Sequence, residues 1–215
     1  FSDPMADGPV IQRASERALK NKVGIKDTIK LAKDFRETNK KTPLILMGYA
    51  NPIEAIGVEN FISLIKEAQI DGVITVDYPP EESKEFVKKL NKEKIDSIFL
   101  LSPTTEDERI KLIAKQASGF LYYVSLKGVT GAANIDIEQV SKNVKNIQKY
   151  SDLPVAVGFG VRDPKTAKAV SKISDAVVIG SRIVKEIEES DKIEIIPNVE
   201  KLMHSMKVAI DSSGA

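Results

Sequence analysis

The chain has 215 residues, of which 42% are apolar and 29% are charged, a length and composition that indicate one soluble domain and exclude a disordered or membrane-spanning protein. Its 32 basic and 31 acidic residues leave a net charge of +1, so no overall field attracts nucleic acid or an anionic membrane. Cysteine is absent and His204 is the single histidine, which excludes disulfides, makes a histidine-rich metal site improbable and leaves carboxylates, hydroxyls and backbone amides to carry any chemistry.

The polar segment FSDPMADGP begins the chain at Phe1 and shows no signal-peptide pattern. Within it, Asp7 precedes Gly8 and Pro9, a pattern typical of a helix start with an aspartate cap and a proline in the first turn. A natural chain rarely begins in this way, so we expect that a segment upstream of Phe1 is missing. The absence of cysteine fits a reducing compartment, and we expect the protein in the cytoplasm.

Six short apolar runs follow along the chain. They cover residues 43–49, 72–78, 97–101, 120–125, 154–159 and 175–180. Nearly continuous runs rich in Val, Ile, Leu and Tyr are typical of parallel strands whose two faces are both covered. Successive runs begin 21 to 34 residues apart, which leaves room for one helix and two loops in each step.

The segments between and after the runs have apolar residues at helical spacing. One such stripe consists of Phe61, Leu64, Ile65 and Ala68, and another of Val199, Leu202, Met203 and Met206, so we expect both sets in the core. Asp163 and Pro164 predict the capped start of a further helix. Repeated strand–helix units in one domain over residues 1–215 leave two architectures, an open doubly wound sheet or a closed (β/α)₈ barrel.

Ligands of both architectures bind at the carboxyl ends of parallel strands. The last three runs are followed there by the glycine-bearing turns LKGVTGAAN, GFGVRDP and IGSRIV, which could bring backbone amides close to a phosphate. Gly180 and Ser181, which open a helix, give the strongest of these signals, although glycines also serve only to make tight turns. No GxGxxG fingerprint is present, so a dinucleotide is disfavoured. Asp77, near the end of the second run, either faces the site or has a structural or loop-capping role.

The segments FSDPMADGPVIQ, LMGYANP, YYVSLKGVTGA, VGFGV and IGSRIV, in this order and spacing, resemble the tryptophan synthase alpha chain family. The resemblance covers essentially the whole chain. It implies a (β/α)₈ TIM barrel that cleaves indole-3-glycerol phosphate to indole and glyceraldehyde 3-phosphate without a metal or an organic cofactor. It also implies a partner, the tryptophan synthase beta chain, which consumes the indole within a heterotetramer.

The resemblance makes Asp7 the catalytic aspartate, which binds the indole N–H and stabilises positive charge on the ring nitrogen. From the residue pattern alone, helix capping by Asp7 is the stronger interpretation. The resemblance also implies that Tyr49 and Tyr122 line the substrate pocket. For Tyr122 the alternatives are a core tyrosine or its neighbour Tyr123 in the same role.

The resemblance implies further roles for the glycine-bearing turns. The phosphate-binding set it implies is Gly131, Gly160, Gly180 and Ser181. Thr130 lies in the GVTG loop, which matches a lid that closes over substrate, and Asp3 lies in a loop that faces the partner.

The family's barrel begins with a strand, a helix and a second strand upstream of FSDP, and that second strand ends in the glutamate that acts as general acid and base. The sequence predicts about six strands where eight close a barrel, so we expect that the first strand–helix–strand portion is missing from this chain. Two alternatives stay open: a catalytically inactive barrel fragment that only binds the beta chain, and another phosphate-binding barrel, an isomerase or aldolase.

Overall fold

The computed structural model describes residues 7–125, 135–158 and 160–212. The strands in these residues are β1 (Ile45–Gly48), β2 (Gly72–Thr75), β3 (Asp96–Leu101), β4 (Leu121–Val124), β5 (Val155–Gly158) and β6 (Ala176–Val177). The helices are α1 (Pro9–Lys20), α2 (Ile25–Thr38), α3 (Ala50–Ile56), α4 (Val58–Glu67), α5 (Lys84–Lys92), α6 (Asp107–Ala114), α7 (Ile137–Ile147), α8 (Pro164–Ser171), α9 (Ser181–Glu189) and α10 (Ile195–Asp211).

The strands form one parallel sheet whose spatial order is the order of the sequence, from β1 to β6. Each strand pairs in parallel with the next one, with Ile45 opposite Gly72 in the first pair and Leu121 opposite Val155 in the fourth. A doubly wound sheet reverses its strand order at a switch point, whereas a barrel adds every strand on the same side. The sequential order therefore identifies the barrel architecture.

All six predicted strands are confirmed, and five of them are shorter than their apolar runs. Pro43 and Pro154 begin two of these runs but lie outside the strands, since proline has no N–H to donate to the sheet. The prediction of one helix per connection is wrong between β1 and β2, where α3 and α4 follow each other. Gly57 separates them with φ +82°, a backbone conformation that glycine adopts without strain.

Side chains alternate between the two faces of the sheet, and both faces are buried. On β3, Phe99 and Leu101 belong to the core beneath the outer helices, whereas Ile98 packs on the other face with Ile74 and Tyr122. Successive strand residues point to opposite faces, so the nearly continuous apolar runs follow directly from this double burial.

The inner face holds a small cluster that joins distant strands. Ile45 of β1 and Val178, just after β6, both pack against the residues that β2, β3 and β4 contribute to this cluster. A flat sheet of six strands would keep its first and last strands far apart, at about 4.8 Å per strand. The sheet is therefore curled, and its helices lie outside.

The C-terminal helix α10 packs against α8 and α9. Met206 is fully buried there, as predicted, whereas Met203 is 38% exposed and does not belong to the core. His204 is exposed. Along the described ranges, no helix, the 17-residue α10 included, is long and apolar enough to cross a membrane.

A buried arginine links two loops at the amino-terminal ends of the strands. Arg36 of α2 donates from Nε to the Gln69 carbonyl at 2.9 Å and from Nη1 to the Thr42 carbonyl at 2.7 Å. Its Nη2 bonds the carboxylate of Asp71, which also accepts the Leu44 N–H at 2.7 Å. The loops before β1 and β2 are thus held by one guanidinium group that is 7% exposed.

We expect Arg36→Ala to lower the free energy of unfolding by about 3 kcal/mol, because two loop carbonyls and the Asp71 carboxylate lose the hydrogen bonds of a buried charged donor. Lys33→Ala on the same helix is the matched control, since its pair with Glu67 is exposed and spans 3.7 Å; its effect should stay below about 0.5 kcal/mol. Urea unfolding followed by circular dichroism measures both variants. Equal effects would contradict the role of Arg36.

Candidate functional site

The carboxyl ends of the strands form the edge at which parallel α/β proteins bind ligands. Predicted site residues lie at or just after these ends: Tyr49 after β1, Tyr122 on β4, Gly160 after β5, and Gly180 with Ser181 after β6. Ser125 joins two neighbouring ends, since its N–H and its Oγ both donate to the Gly158 carbonyl, at 3.0 and 2.8 Å. Most of the predicted site residues therefore share one edge of the sheet.

Asp7 precedes α1 and belongs to no strand, yet its carboxylate lies against the carboxyl ends of the strands, at Tyr49. The Tyr49 hydroxyl donates a hydrogen bond to Asp7 Oδ2 at 3.1 Å, and both residues are partly buried. Gln12, one turn into α1, donates from Nε2 to the Asp7 carbonyl at 3.2 Å. The structure thus brings together a carboxylate and a phenol that the sequence analysis assigned separately.

Helix α1 begins at Pro9 as predicted, but Asp7 is not its cap. The N-cap residue is Gly8, and no side-chain hydrogen bond caps this helix. By contrast, Asp163 caps α8 as predicted, with Oδ1 accepting the Thr166 N–H at 2.8 Å. The helix-capping interpretation of Asp7 is therefore wrong, and its carboxylate is directed to Tyr49 instead.

Tyr122 lies on the inner face of β4, over the adjacent strand β5. A Cβ atom at position 158 would lie 2.4 Å from the Tyr122 hydroxyl oxygen, so Gly158 leaves the space that this ring occupies. The side chain is 5% exposed, and burial raises the pKa of Tyr122 to about 12. The phenol stays protonated at neutral pH, so it can donate a hydrogen bond but cannot act as a base there.

Tyr123, the alternative to Tyr122, lies on the opposite face of β4. It belongs to the core beneath the helices, where Asn143 of α7 donates from Nδ2 to its hydroxyl at 2.5 Å. Burial raises the pKa of Tyr123. The Tyr123 hydroxyl therefore links α7 to β4, and Tyr122 is the tyrosine whose side chain faces the inside of the curled sheet.

Gly180 and Ser181 open α9, as the sequence predicts. Gly180 is the N-cap residue, and its carbonyl accepts the N–H groups of Ile183 and Val184 at 2.9 and 3.2 Å. The first amides of an α-helix have no acceptor within the helix, and the helix dipole places partial positive charge at them. Both Gly180 and Ser181 are exposed, so an anion can approach this end.

The other predicted glycine turns are described only in part. Gly160 has φ +84°, a left-handed backbone conformation that a side chain would strain. Thr130, Gly131 and Asp3 lie outside the described residues.

Two acidic residues close to this edge bond to protein groups. Asp77 Oδ1 accepts the Ala50 N–H at the start of α3 at 2.7 Å, a contact that supports its structural, loop-capping interpretation. The Tyr78 hydroxyl donates a hydrogen bond to the Glu54 carboxylate. The pKa of Tyr78 is raised to about 12, and this hydrogen bond is the largest cause. Over the parts of the chain that the structure describes, no three His, Asp or Glu side chains are grouped so that they could hold a metal ion.

One group of charged residues, at the contact between α1 and α9, has no signal in the sequence that would pair its members. Arg13 and Arg17 of α1 both bind Glu188 of α9. Their i,i+4 spacing indicates that the two arginines share a helix face. Nothing in the sequence indicates which helix lies opposite, because Arg13 and Glu188 are 175 residues apart.

Comparison with known proteins identifies relatives of this chain. Residues 1–211 match the family described as tryptophan synthase alpha chain. A protein of that name from Nitrosomonas europaea is 52% identical over 212 residues, which cover 99% of this chain and 77% of the relative. Another from a Janthinobacterium species is 55% identical over 211 residues, which cover 98% of this chain and 80% of the relative.

Solved structures show the same similarity. The crystal structure of tryptophan synthase subunit alpha from Legionella pneumophila superposes with a TM-score of 0.89 at 40% identity, covering 99% of this chain and 79% of that one. A tryptophan synthase complex from Pyrococcus furiosus gives a TM-score of 0.85 at 33% identity, covering 97% of this chain and 83% of that one.

We expect Gly158→Ala to destabilise the protein by about 1–3 kcal/mol, because its methyl group would overlap the Tyr122 ring. Gly48→Ala is the matched control. Gly48 also ends a strand, and a Cβ there would meet nothing within 4 Å. Calorimetric unfolding of the two variants compares them, and a Gly158→Ala protein as stable as Gly48→Ala would contradict the close contact.

Proposed function

The chain belongs to the tryptophan synthase alpha chain family, and from this premise we propose how its residues divide the work of the reaction. Alpha chains are lyases that cleave indole-3-glycerol phosphate to indole and glyceraldehyde 3-phosphate, a retro-aldol step of tryptophan biosynthesis. The observation that carries the proposal is the Asp7–Tyr49 contact at the carboxyl edge of the sheet. A cytoplasmic location, which fits a chain without cysteine, is part of the proposal.

The bond to be broken joins C3 of the indole ring to the hydroxyl-bearing carbon of the glycerol phosphate chain. A proton added to C3 leaves positive charge on the ring nitrogen. Loss of the hydroxyl proton then forms the aldehyde, the carbon–carbon bond breaks, and its electron pair returns to the ring. A carboxylate bound to the ring N–H stabilises this charge as it develops, because a charge-assisted hydrogen bond strengthens.

In this proposal Asp7 is the carboxylate that binds the ring N–H. Tyr49 donates to Oδ2, which fixes the plane of the carboxylate, and Oδ1 accepts the indole N–H. Such fixed orientation lowers the barrier because the charged group does not have to reorganise during the reaction.

We assign substrate phosphate to the amino-terminal end of α9, where Gly180 and Ser181 are exposed, together with Gly160. The resemblance adds Gly131 to this set and places Thr130 in the loop that closes over substrate. In the family, the general acid and base is a glutamate from a strand upstream of FSDP, so none of the glutamates of residues 1–215 is given this role.

Tyr122 is assigned to the wall of the substrate pocket. Its ring lies on the inner face of β4, and its phenol is neutral at working pH. The inner cluster also supports the proposal that residues 1–215 belong to one barrel domain, because it joins Ile45 of β1 to Val178 after β6.

The alpha chain works with the tryptophan synthase beta chain, which consumes the indole. One of the similar solved structures is a tryptophan synthase complex. From the resemblance we assign the loop around Asp3 and the GVTG loop to contacts with this partner. Indole is small and apolar, so transfer within a complex keeps it from the solvent.

We predict that Asp7→Asn lowers turnover of indole-3-glycerol phosphate at least about 100-fold in the intact protein with its beta chain. The asparagine keeps the size of the side chain but loses the charge that stabilises the ring nitrogen. Indole release followed by absorbance measures turnover, and calorimetry measures the affinity for glycerol phosphate, which should stay within about twofold because that probe binds the α9 end. Retained turnover would contradict the role of Asp7.

Tyr49→Phe is the companion variant, because it removes the hydroxyl and keeps the ring. It should lower turnover less than Asp7→Asn, since it disturbs the orientation of the carboxylate and leaves its charge. Wild-type protein that binds glycerol phosphate and cleaves no indole compound would instead favour another phosphate-binding barrel.

A further inference from the structure

Helix α1 begins two residues after Asp7, and its apolar side chains are at most half-buried. None of its residues is fully buried, and its main packing partner is α9. Helix α9, which begins with the proposed phosphate site, has no fully buried residue either. Because apolar burial in the two helices is only partial, polar contacts between them also help to set their relative position.

Three hydrogen bonds, all to one carboxylate, join the two helices. Arg13 donates from Nε to Glu188 Oε1 at 2.9 Å and from Nη2 to Oε2 at 2.8 Å, a bidentate arrangement. Arg17, one turn further along α1, donates from Nη1 to Glu188 Oε1 at 2.7 Å. We call Arg13, Arg17 and Glu188 the α1–α9 clamp.

The clamp differs from an ordinary surface ion pair. Isolated exposed pairs contribute little, but a bidentate arginine–carboxylate pair within a network of several charges is the recognised exception. The Glu188 side chain is 21% exposed, about half as much as either arginine. Its hydrogen bonds to Arg13 and then Arg17 lower the pKa of Glu188 to about 2, so the carboxylate stays charged at neutral pH.

Each of the two helices begins next to a residue of the proposed site. Asp7 precedes α1 by two residues, and Ser181 is the first residue of α9. Glu188 lies seven residues after Ser181, about 10 Å along the helix axis. Arg13 lies in the second turn of α1. The clamp therefore joins the second and third turns of α1 to the far end of α9, and the two helices carry this constraint to their first turns.

We propose that Glu188 is a positioning residue: by holding α1 through Arg13 and Arg17, it sets the position of Asp7 relative to the phosphate-binding end of α9. This inference rests on the function proposed above. In this inference the clamp aligns the Asp7 carboxylate with the indole ring of the substrate, and it has no part in binding the phosphate. A displacement of about 1 Å at a reacting group is enough to lower a rate strongly.

The test compares Glu188→Gln with Glu189→Gln in the intact protein with its beta chain. Glu189 is the matched control, because it follows on the same helix, is exposed and pairs with Lys185 at 3.6 Å. We expect Glu188→Gln to lower kcat for indole-3-glycerol phosphate about tenfold and Glu189→Gln to leave it within about twofold. The affinity for glycerol phosphate, measured by calorimetry, should stay within about twofold in both variants.

A double-mutant cycle tests whether the clamp acts as a unit. Arg13→Gln with Glu188→Gln should lower kcat no further than Glu188→Gln alone, because either change breaks the same bidentate pair. Fully multiplicative effects of the two changes would overturn the proposal.

Three other results would overturn the inference. The first is equal kcat in Glu188→Gln and Glu189→Gln. The second is a loss of glycerol phosphate affinity as large as the loss of kcat. The third concerns a Glu188→Gln variant whose melting temperature is so low that it is unfolded in the assay. In that case Glu188→Asp, which keeps the charge, would overturn the inference if it folds and still has the low kcat.

The two proposals fail separately. Wild-type protein without cleavage, or an Asp7→Asn variant with full turnover, contradicts the proposed function. Wild-type cleavage that requires Asp7 but is insensitive to Glu188 contradicts only the positioning role.

Discussion

One parallel sheet buried on both faces is the constraint from which the rest of the structure follows. Because side chains alternate along each strand, every strand must supply apolar groups in both directions. The outer groups pack under helices, and the inner groups meet in the limited space inside the curled sheet, where Gly158 makes room for Tyr122. Once both faces are occupied by core, ligands and polar side chains are left with the two edges of the sheet.

The two edges are used differently. At the amino-terminal edge, Arg36 and Asp71 fasten the loops before β1 and β2, and Asp175 accepts the Val155 N–H at 2.8 Å, which joins the segment before β6 to β5. These groups bond to the protein's own backbone. At the carboxyl edge lie Asp7, which contacts Tyr49, and the exposed first turn of α9. The groups that link loops to one another and the proposed site residues thus lie at different ends of the same strands, as in other barrels.

The strands could be predicted from the sequence, because apolar runs are local signals. Their spacing leaves an open sheet and a barrel as alternatives, and only the family resemblance favours the barrel. The second helix between β1 and β2 is not predicted, since the distance between the two apolar runs is interpreted as room for a single helix. The sequence alone does not distinguish the roles of Tyr122 and Tyr123. Their positions along β4 decide which side chain faces the inside of the curled sheet and which faces the helices. The ion pair of Arg36 and that of Glu188 depend on residues far away in the chain, so no local pattern reveals them.

Asp7, the proposed carboxylate of the site, lies at the carboxyl edge without belonging to the sheet. Through α1 its segment contributes no fully buried side chain, and Val10 and Ile11 are only half-buried. Among the described residues, two polar contacts join this segment to other elements: the Tyr49 hydroxyl bonds the carboxylate of Asp7, and Glu188 of α9 bonds Arg13 and Arg17 further along α1. One contact alone would leave the segment free to rotate about it. Two contacts at separate points define its direction, so the orientation of this carboxylate depends on both the sheet edge and α9.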